Sequence, residues 1–260
     1  AVVINESSAD VDFRVESNGN ANMLFVDGGN DSVGIGTATP LVVNGVTFTG
    51  THLMLKGAAH TRIVAEGGSS GQVLLTDLGA DANTKTKFIF SDGGKLQFGS
   101  TNDAGSNTMH MQIDATGAVT KPLQPAFLVQ PASNQDNIPI NANTTVVFGS
   151  EVFDQNADFA SNTFTAPVTG KYQLNVKINF SNVDVTSDYV NVYLVASNRS
   201  VVFTFGSGAG DLDTYQTVSF STLLDMDASD TAYVYINLPN QGAAQMNIST
   251  DSKFSGYLVA

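Results

Sequence analysis

The sequence lacks cysteine, long apolar runs and helical periodicity, and each absence narrows what the protein can be. Without cysteine, neither disulfides nor thiolate metal sites stabilise the chain, which suits assembly in a reducing cytoplasm. No apolar run approaches the roughly 20 residues that a membrane-spanning helix requires, so no membrane insertion is expected. There is no charged-then-apolar leader at the N-terminus. Because the sequence opens on "AVVIN" without Met, we treat it as a fragment or a processed form.

Positive charge is scarce as well. Lys and Arg total 11 against 24 Asp and Glu, which gives a net charge of −13. Both halves are acidic, with 7 basic against 12 acidic residues before residue 126 and 4 against 12 from there onward. Such a surface repels phosphate backbones and anionic lipid heads, so no nucleic acid or membrane partner is expected.

Gly, Asn, Ser, Thr and Asp interrupt every stretch that could show a helical period, and the pattern predicts an all-β chain. The clearest linker is "TKPLQP", in which two prolines favour extended backbone. Six of the sixteen Phe and none of the seven Tyr precede residue 126, so only the second half is expected to build a core alone. The predicted organisation is a shaft at 1–120, a linker at 121–125 and a head at 126–260.

The first part contains three turn signals between alternating apolar residues, in "LFVDGGNDSVGIGT", "FIFSDGGKLQFGST" and "MQIDATGAVT". Asp followed by Gly in this setting predicts β-hairpins, because Gly adopts positive φ without steric strain. Isolated hairpins are marginally stable in water, and this part has few large apolar side chains to cover them. We therefore expect other copies of the chain to bury them, in an elongated, interwoven trimeric shaft of β-hairpins.

The second part contains "NTFTAPVTGKYQLNVKINF", in which apolar residues from Tyr172 to Phe180 alternate with polar ones. This alternation predicts a strand with one buried face. Eight or nine strands are predicted in the second part, the number and spacing of a two-sheet sandwich. They lie near 126–130, 144–153, 162–165, 171–180, 189–196, 200–205, 214–224, 231–238 and 253–259.

Four motifs, "PAFLVQ", "NTFTAPVTGKY", "LLDMDASDTAYVYI" and "KFSGYLV", follow one another in this part. With them, residues 124–260 resemble the globular head of the complement first-component q subunit and its tumour-necrosis-factor-like relatives. The resemblance implies a ten-stranded jelly-roll sandwich that assembles as a tight homotrimer. Pro167 and Gly170 are expected to form the turn before the long strand, Phe164 to fill the core, and Gly256 to allow close packing.

Short phrases in residues 2–120, "DFRVES", "LFVD", "VGIGT" and "IDATGAV", resemble repeats of bacteriophage tail or head fibres and other virion appendages. Together with a trimeric head, this resemblance implies a fibre subunit that is assembled in the host cytoplasm and placed on the virion, where it contacts other virion proteins.

Signals for an enzyme are weak. "GGSSG", from Gly67 to Gly71, matches the nucleophile-elbow pattern but lacks its strand-to-helix context, and a surface turn explains it. His52, His60 and His110 fall in different hairpins without metal-ligand spacing, although one His per chain could form a ring of three in a trimer. Neither an enzyme nor a cofactor is predicted.

Acidic residues near "FGSGAGDL" leave two interpretations open. Calcium is one, with ligands at Asp211 and Asp213 and further carboxylates at Asp225, Asp227 and Asp230; ordinary turn formation by Asp is the other. The segment predicts an exposed inter-strand loop, and such loops commonly contact partners. The candidate partner-binding residues are Gly206, Ser207, Gly208, Asp211 and Asp213.

Tyrosines alternate on the strand faces that the core does not need. Because tyrosine suits a half-wet protein interface, we predict a trimer contact from this set: Tyr189, Tyr193, Tyr233, Tyr235 and Tyr257. The predicted function is a virion fibre or adhesin subunit whose head binds a host cell-surface receptor or glycan by multivalent contact. The alternative is a head-decoration fibre or trimerisation cap that recognises nothing.

Overall fold

The computed structural model describes residues 11–38, 42–43, 46–47, 53–55, 63–183, 189–206, 215–239 and 244–260. Within these ranges the regular elements are all β-strands, which confirms the all-β prediction. Contacts divide the chain into two units, Ala1–Gly67 and Gly68–Ala260. Each unit is described by itself.

The first unit is built of short strands and tight turns. Its main sheet has the order β1-β2-β3-β6, and β4 pairs with β5 separately. The turn predicted at Asp27 joins β2 to β3 in a hairpin. Gly28 has no room for a side chain there, because a Cβ would lie 2.7 Å from the carbonyl oxygen of Val11. The strands are β1 (Phe13–Ser17), β2 (Asn20–Asp27), β3 (Ser32–Ile35), β4 (Val42–Val43), β5 (Val46–Thr47) and β6 (Leu53–Leu55).

The second unit begins with a five-stranded antiparallel meander, in which each strand pairs with the next along the chain. We call it the meander sheet; its strands are β7 (Ser70–Thr76), β8 (Thr86–Asp92), β9 (Lys95–Thr101), β10 (Asn107–Ile113) and β11 (Val119–Thr120). The two remaining predicted hairpins are confirmed. Gly93 and Gly94 turn β8 into β9 with φ values of 54° and 75°, and Gly117, with φ 90°, lies in the turn from β10 to β11.

Residues 126–260 form a sandwich of two sheets. Sheet I has the order β14-β12-β23-β17-β20, with β22 added beside β17, and sheet II has the order β15-β16-β21-β18-β19, with β13 added beside β21. The strands are β12 (Ala126–Gln130), β13 (Asn143–Thr145), β14 (Ser150–Asp154), β15 (Phe159–Ala160), β16 (Thr163–Thr165), β17 (Gly170–Ser181), β18 (Tyr189–Ala196), β19 (Arg199–Gly206), β20 (Tyr215–Met226), β21 (Thr231–Asn237), β22 (Asn247–Ile248) and β23 (Lys253–Leu258). The two main paths hold ten strands, in agreement with the predicted jelly roll.

The core of the head lies between sheets I and II. The apolar side chains of β17, from Tyr172 to Phe180, are at most 1% exposed, as their alternation predicted. The Phe164 ring stacks on the Phe127 ring, with centroids 4.7 Å apart. Gly256 is required beside them, because a Cβ there would lie 2.5 Å from Leu174 Cδ2 and 2.8 Å from Phe127 Cε1.

The prediction of one continuous strand at 144–153 is wrong, because residues 146–149 between β13 and β14 are not in a strand. β13 pairs with β21 in sheet II, whereas β14 pairs with β12 in sheet I, so the segment between them crosses from one sheet to the other. Val146 and Phe148, on this crossing, are 0% and 4% exposed. The alternation of apolar residues continues through this crossing, which is why the sequence predicted one strand. The N–H of Val146 donates to Val234 O at 2.9 Å, and the N–H of Phe148 donates to Oδ1 of Asn162 at 2.8 Å.

The segment 121–125, expected as a linker, is held against the head by amide side chains. Nε2 of Gln155 donates to the carbonyl oxygens of Lys121, Pro122 and Gln124 at 3.0, 2.9 and 2.8 Å. Nε2 of Gln124 donates in turn to Leu258 O at 2.6 Å. The backbone before β12 is therefore fixed by specific contacts rather than left as a free tether.

Candidate binding surfaces of the head

The predicted interface tyrosines lie on the outward faces of two different sheets. Tyr189 and Tyr193 on β18 and Tyr233 and Tyr235 on β21 belong to sheet II, while Tyr257 on β23 belongs to sheet I. Their alternation with buried residues directs all five away from the core. A single flat contact therefore cannot contain the whole set, and the trimer contact stays a prediction.

Three of these tyrosines form a cluster on sheet II that we call the tyrosine platform: Tyr193, Tyr233 and Tyr235. Tyr193 and Tyr235 are directly opposed on neighbouring strands, and their rings stack with centroids 4.5 Å apart at 14°. The Tyr233 ring lies 6.3 Å from that of Tyr235 at 33°. Burial, followed by the neighbouring Tyr193 and Tyr233 groups, raises the pKa of Tyr235.

Uncharged side chains, both polar and apolar, lie across the strands from the platform in the described residues. Thr145 opposes Tyr235 and Thr163 opposes Tyr233 across the strands. Beyond the tyrosines, Nδ2 of Asn237 donates to Oδ1 of Asn143 at 2.9 Å. This part of sheet II thus offers hydroxyls and amides around a set of aromatic rings.

An apolar patch on the outward face of sheet I was not predicted as a set. Leu128 is directly opposed to Phe153, and Tyr257 and Leu223 both oppose Gln173, one on each side of β17. We call Leu128, Phe153, Leu223 and Tyr257 the sheet I patch. Phe153, Leu223 and Tyr257 are 49%, 52% and 49% exposed. The sequence does contain a signal for this patch: in β12 and β20, the residues that alternate with the buried ones also include apolar side chains.

The predicted partner-binding loop is only partly described. Gly206 is the last residue of β19 and is exposed, whereas Ser207, Gly208, Asp211 and Asp213 lie outside the described residues. The calcium interpretation at Asp211 and Asp213 is therefore untested and stays open beside ordinary turn formation.

The other acidic residues considered for calcium have structural roles. An oxygen of Asp225 pairs with the guanidinium of Arg199 at 2.5 Å. Oδ2 of Asp230 accepts a hydrogen bond from the backbone N–H of Asp227 at 3.0 Å, as expected for a residue that shapes a turn. Among the described residues, no group of three or more His, Cys, Asp or Glu side chains is arranged to hold a metal ion.

The weak enzyme signals gain no support from their surroundings. Ser70 and Gly71 of the "GGSSG" stretch enter β7 directly, and a strand rather than a helix follows. Nε2 of His110 lies 3.1 Å from Oγ of Ser100, and its ring lines a cleft of about 360 Å³ beside Lys121 and Leu258. His52 and His60 lie outside the described residues. In the described ranges we also find no helix with the length and apolar character to cross a membrane.

A match to a protein-family model agrees with the architecture of the head. A model of the C1q domain matches residues 126–259, slightly more than half of the chain. The globular domain of zebrafish complement 1qA protein is 17% identical over 53% of this chain and 98% of that one, with a TM-score of 0.38. Murine APRIL, crystallised at pH 8.0, is 10% identical over 52% of this chain and 99% of that one, with a TM-score of 0.39.

No curated protein matches the chain. The family match covers the jelly roll from β12 to β23 and includes both the tyrosine platform and the sheet I patch. Domains of this family are typically trimeric modules for binding or structure and are not enzymes. The chain belongs to the C1q domain family.

Proposed function

We propose that the protein is a subunit of a homotrimeric virion fibre whose C1q-type head binds a host cell-surface receptor or glycan. The head supplies the trimer and the binding surface, and the preceding strands supply a shaft. The fibre-like phrases in residues 2–120 support a place on a tailed-phage virion, with other virion proteins as partners and assembly in the host cytoplasm. The net charge of −13 argues against nucleic acid as the partner.

The observation that carries this proposal is the exposed apolar face of the meander sheet. Strand pairing places one set of side chains on the same face: Val73, Leu75, Ile89, Leu96, Phe98, Met111, Ile113 and Val119. Five of them are between 39% and 59% exposed in the single chain. A contiguous apolar face of this kind marks an interaction surface. The simplest way to bury this apolar face is contact with other copies of the same chain, since a trimeric head holds three such sheets close together.

The head offers a second contact for the same assembly. The sheet I patch contains exposed apolar residues, among them Phe153 and Leu223, and Tyr257 adds the half-polar side chain that suits an interface. We therefore place the trimer contact of the head on sheet I, with Tyr257 as its predicted tyrosine. The contacts of Gln155 with the segment 121–125 then connect the head trimer to the shaft.

Recognition by such a module would be multivalent. One trimer carries three copies of each loop and face on a single rigid body, so that weak individual contacts reinforce one another by effective concentration. Family membership supports a binding or structural role and gives no support for catalysis.

Sedimentation and cell binding of the full chain test the proposal. We expect a mass three times the chain mass of 27.2 kDa at micromolar concentration, and saturable binding of the labelled protein to host cells. A monodisperse monomer contradicts the assembly. A trimer that binds neither cells nor glycans, combined with loss of assembly when residues 121–260 are deleted, identifies the head as a non-recognising cap.

A further inference from the structure

The tyrosine platform lies on the face of the head that the proposed trimer contact leaves open. Tyr193 and Tyr235 point outward from sheet II, whereas the sheet I patch lies on the other side of the sandwich core. A trimer assembled through sheet I thus carries three outward-facing copies of the platform.

The platform is held in place before any ligand arrives. The stacked rings of Tyr193 and Tyr235, 4.5 Å apart, restrain each other, and Tyr233 packs beside them at 6.3 Å. Tyrosine has only two side-chain torsions, and rings already restrained by packing lose little conformational freedom on binding. The rings therefore form a preorganised amphipathic surface.

The hydroxyl groups of the platform are available for a ligand. Within the described part of the chain, Tyr193, Tyr233 and Tyr235 make no side-chain hydrogen bond, in contrast to Tyr172, whose hydroxyl donates to Val168 O at 2.7 Å. Each phenol both donates and accepts. Three neighbouring phenols without internal partners are suited to a ligand that presents several hydroxyls.

The described cross-strand neighbours of the platform are uncharged. Cross-strand neighbours of the three tyrosines are Thr145, Thr163, Val195 and Val202. The next row toward the strand ends pairs Thr204 with Asn191, where the Thr hydroxyl donates to the Asn oxygen at 2.7 Å. In a chain of net charge −13, these described neighbours include no cation that would hold an anionic ligand and no carboxylate that would hold a cationic one.

We propose that the tyrosine platform binds a neutral oligosaccharide. Sugars present apolar C–H faces next to hydroxyl groups, which matches aromatic carbon bordered by phenols, threonines and amides. The inference rests on the proposed function, because it identifies the glycan and the surface for that binding module. It also changes the role of Tyr193, Tyr233 and Tyr235, which the sequence placed in the trimer contact.

The test applies the full chain to an array of neutral oligosaccharides built from glucose, galactose, mannose and N-acetylglucosamine, together with sialylated and sulfated forms of the same chains. We expect binding to neutral oligosaccharides only. Titration calorimetry with the best one should show at least about a tenfold loss of affinity in Tyr193→Phe/Tyr233→Phe/Tyr235→Phe, which keeps the rings and removes three hydroxyls. Tyr193→Ala/Tyr235→Ala should abolish binding.

Tyr215→Ala is the matched control, since Tyr215 is a 71% exposed tyrosine at the start of β20 in sheet I. The affinity of this variant for the oligosaccharide should equal that of the unsubstituted chain. Retained affinity in the triple Phe variant overturns the inference, as does binding restricted to charged glycans. Platform variants that dissociate the trimer in sedimentation also overturn it and favour the interface role. If cells are bound with unchanged affinity by all platform variants, the inference fails while the proposed function stands; absence of any cell or glycan binding contradicts both.

Discussion

Oδ1 of Asp154 accepts a hydrogen bond from the backbone N–H of Asp158 at 3.1 Å, which holds two carboxylates close together after β14. Oδ2 of Asp154 also accepts from the N–H of Phe159 at 2.8 Å. Oδ2 of Asp158, by contrast, is buried and has no hydrogen-bond partner among the described residues. Burial and then the charge of Asp154 raise the pKa of Asp158. The two acids therefore have opposite effects on stability.

A raised pKa means that the folded state binds the proton of Asp158 more tightly than the unfolded state. Its stabilising contribution is present below the ordinary value of 3.8 and is lost as the pH rises through the raised value. We expect Asp158→Asn to raise the free energy of unfolding at pH 7 by on the order of 0.5 kcal/mol, because solvent screens the pair. The gain should shrink as the pH falls toward 3.8. Urea unfolding at pH 7 and at pH 4, with the same protein concentration, measures the gain in the free energy of unfolding and its decrease in acid.

Asp154→Asn is the matched variant, since it removes the negative charge and replaces one of the two accepting oxygens. Leaving a backbone N–H without an acceptor costs about 1–3 kcal/mol, so a loss of stability is expected at pH 7. Equal effects of the two substitutions would contradict the distinction between the two carboxylates.

Gly256 is expected to tolerate no side chain. A Cβ would lie 2.5 Å from Leu174 Cδ2 and 2.8 Å from Phe127 Cε1, and both neighbours belong to the packed core. Overpacking of a core typically costs about 1–3 kcal/mol, and Gly256→Ala should lower the free energy of unfolding by that amount. Gly68→Ala is the control, because nothing lies within 4 Å of a Cβ there. Urea midpoints that shift equally in both variants would show that the close approach is unimportant.

Leu74 and Leu75 are neighbours on β7 that point to opposite faces of the meander sheet, and they are 53% and 59% exposed. Leu75 shares its face with Ile89 and Phe98, on the apolar side that we propose other copies cover. Leu75→Asp should therefore shift the sedimenting species from trimer toward monomer, because a charge would be buried in the contact. Leu74→Asp should shift it less. The reverse order would place the shaft contact on the opposite face.

Sequence alternation was sufficient for the long strand and for the hairpins. The period of two in Tyr172 to Phe180 is complete over β17, and Asp followed by Gly located the turns at Gly93 and Gly117. β15 and β22 were not predicted, because a two-residue strand is too short to show any period. Such local signals depend only on neighbouring residues, so they are visible in one sequence.

The arrangement of the candidate surfaces could not be predicted from local sequence patterns. The alternation of buried and exposed residues predicts that Tyr233 and Tyr257 both face away from the core. It does not predict that β21 and β23 belong to different sheets. The sheet I patch likewise depends on a pairing that brings Leu128 opposite Phe153. The crossing at Val146 and Phe148 depends on partners, Val234 and Asn162, that are distant in sequence. Long-range pairing, rather than local propensity, decided each of these features.

The central position of β12 in its sheet has a mechanical consequence for the proposed fibre. The segment 121–125 continues directly into β12, which lies between β14 and β23 and pairs antiparallel with both. In the proposed fibre, a pull that broke the contacts of segment 121–125 and acted along β12 would load both hydrogen-bond ladders in shear at the same time. The ladders cannot open one bond after another from an edge. If the proposed fibre is attached at this strand, its head should stay folded under a tension that would peel off an edge strand.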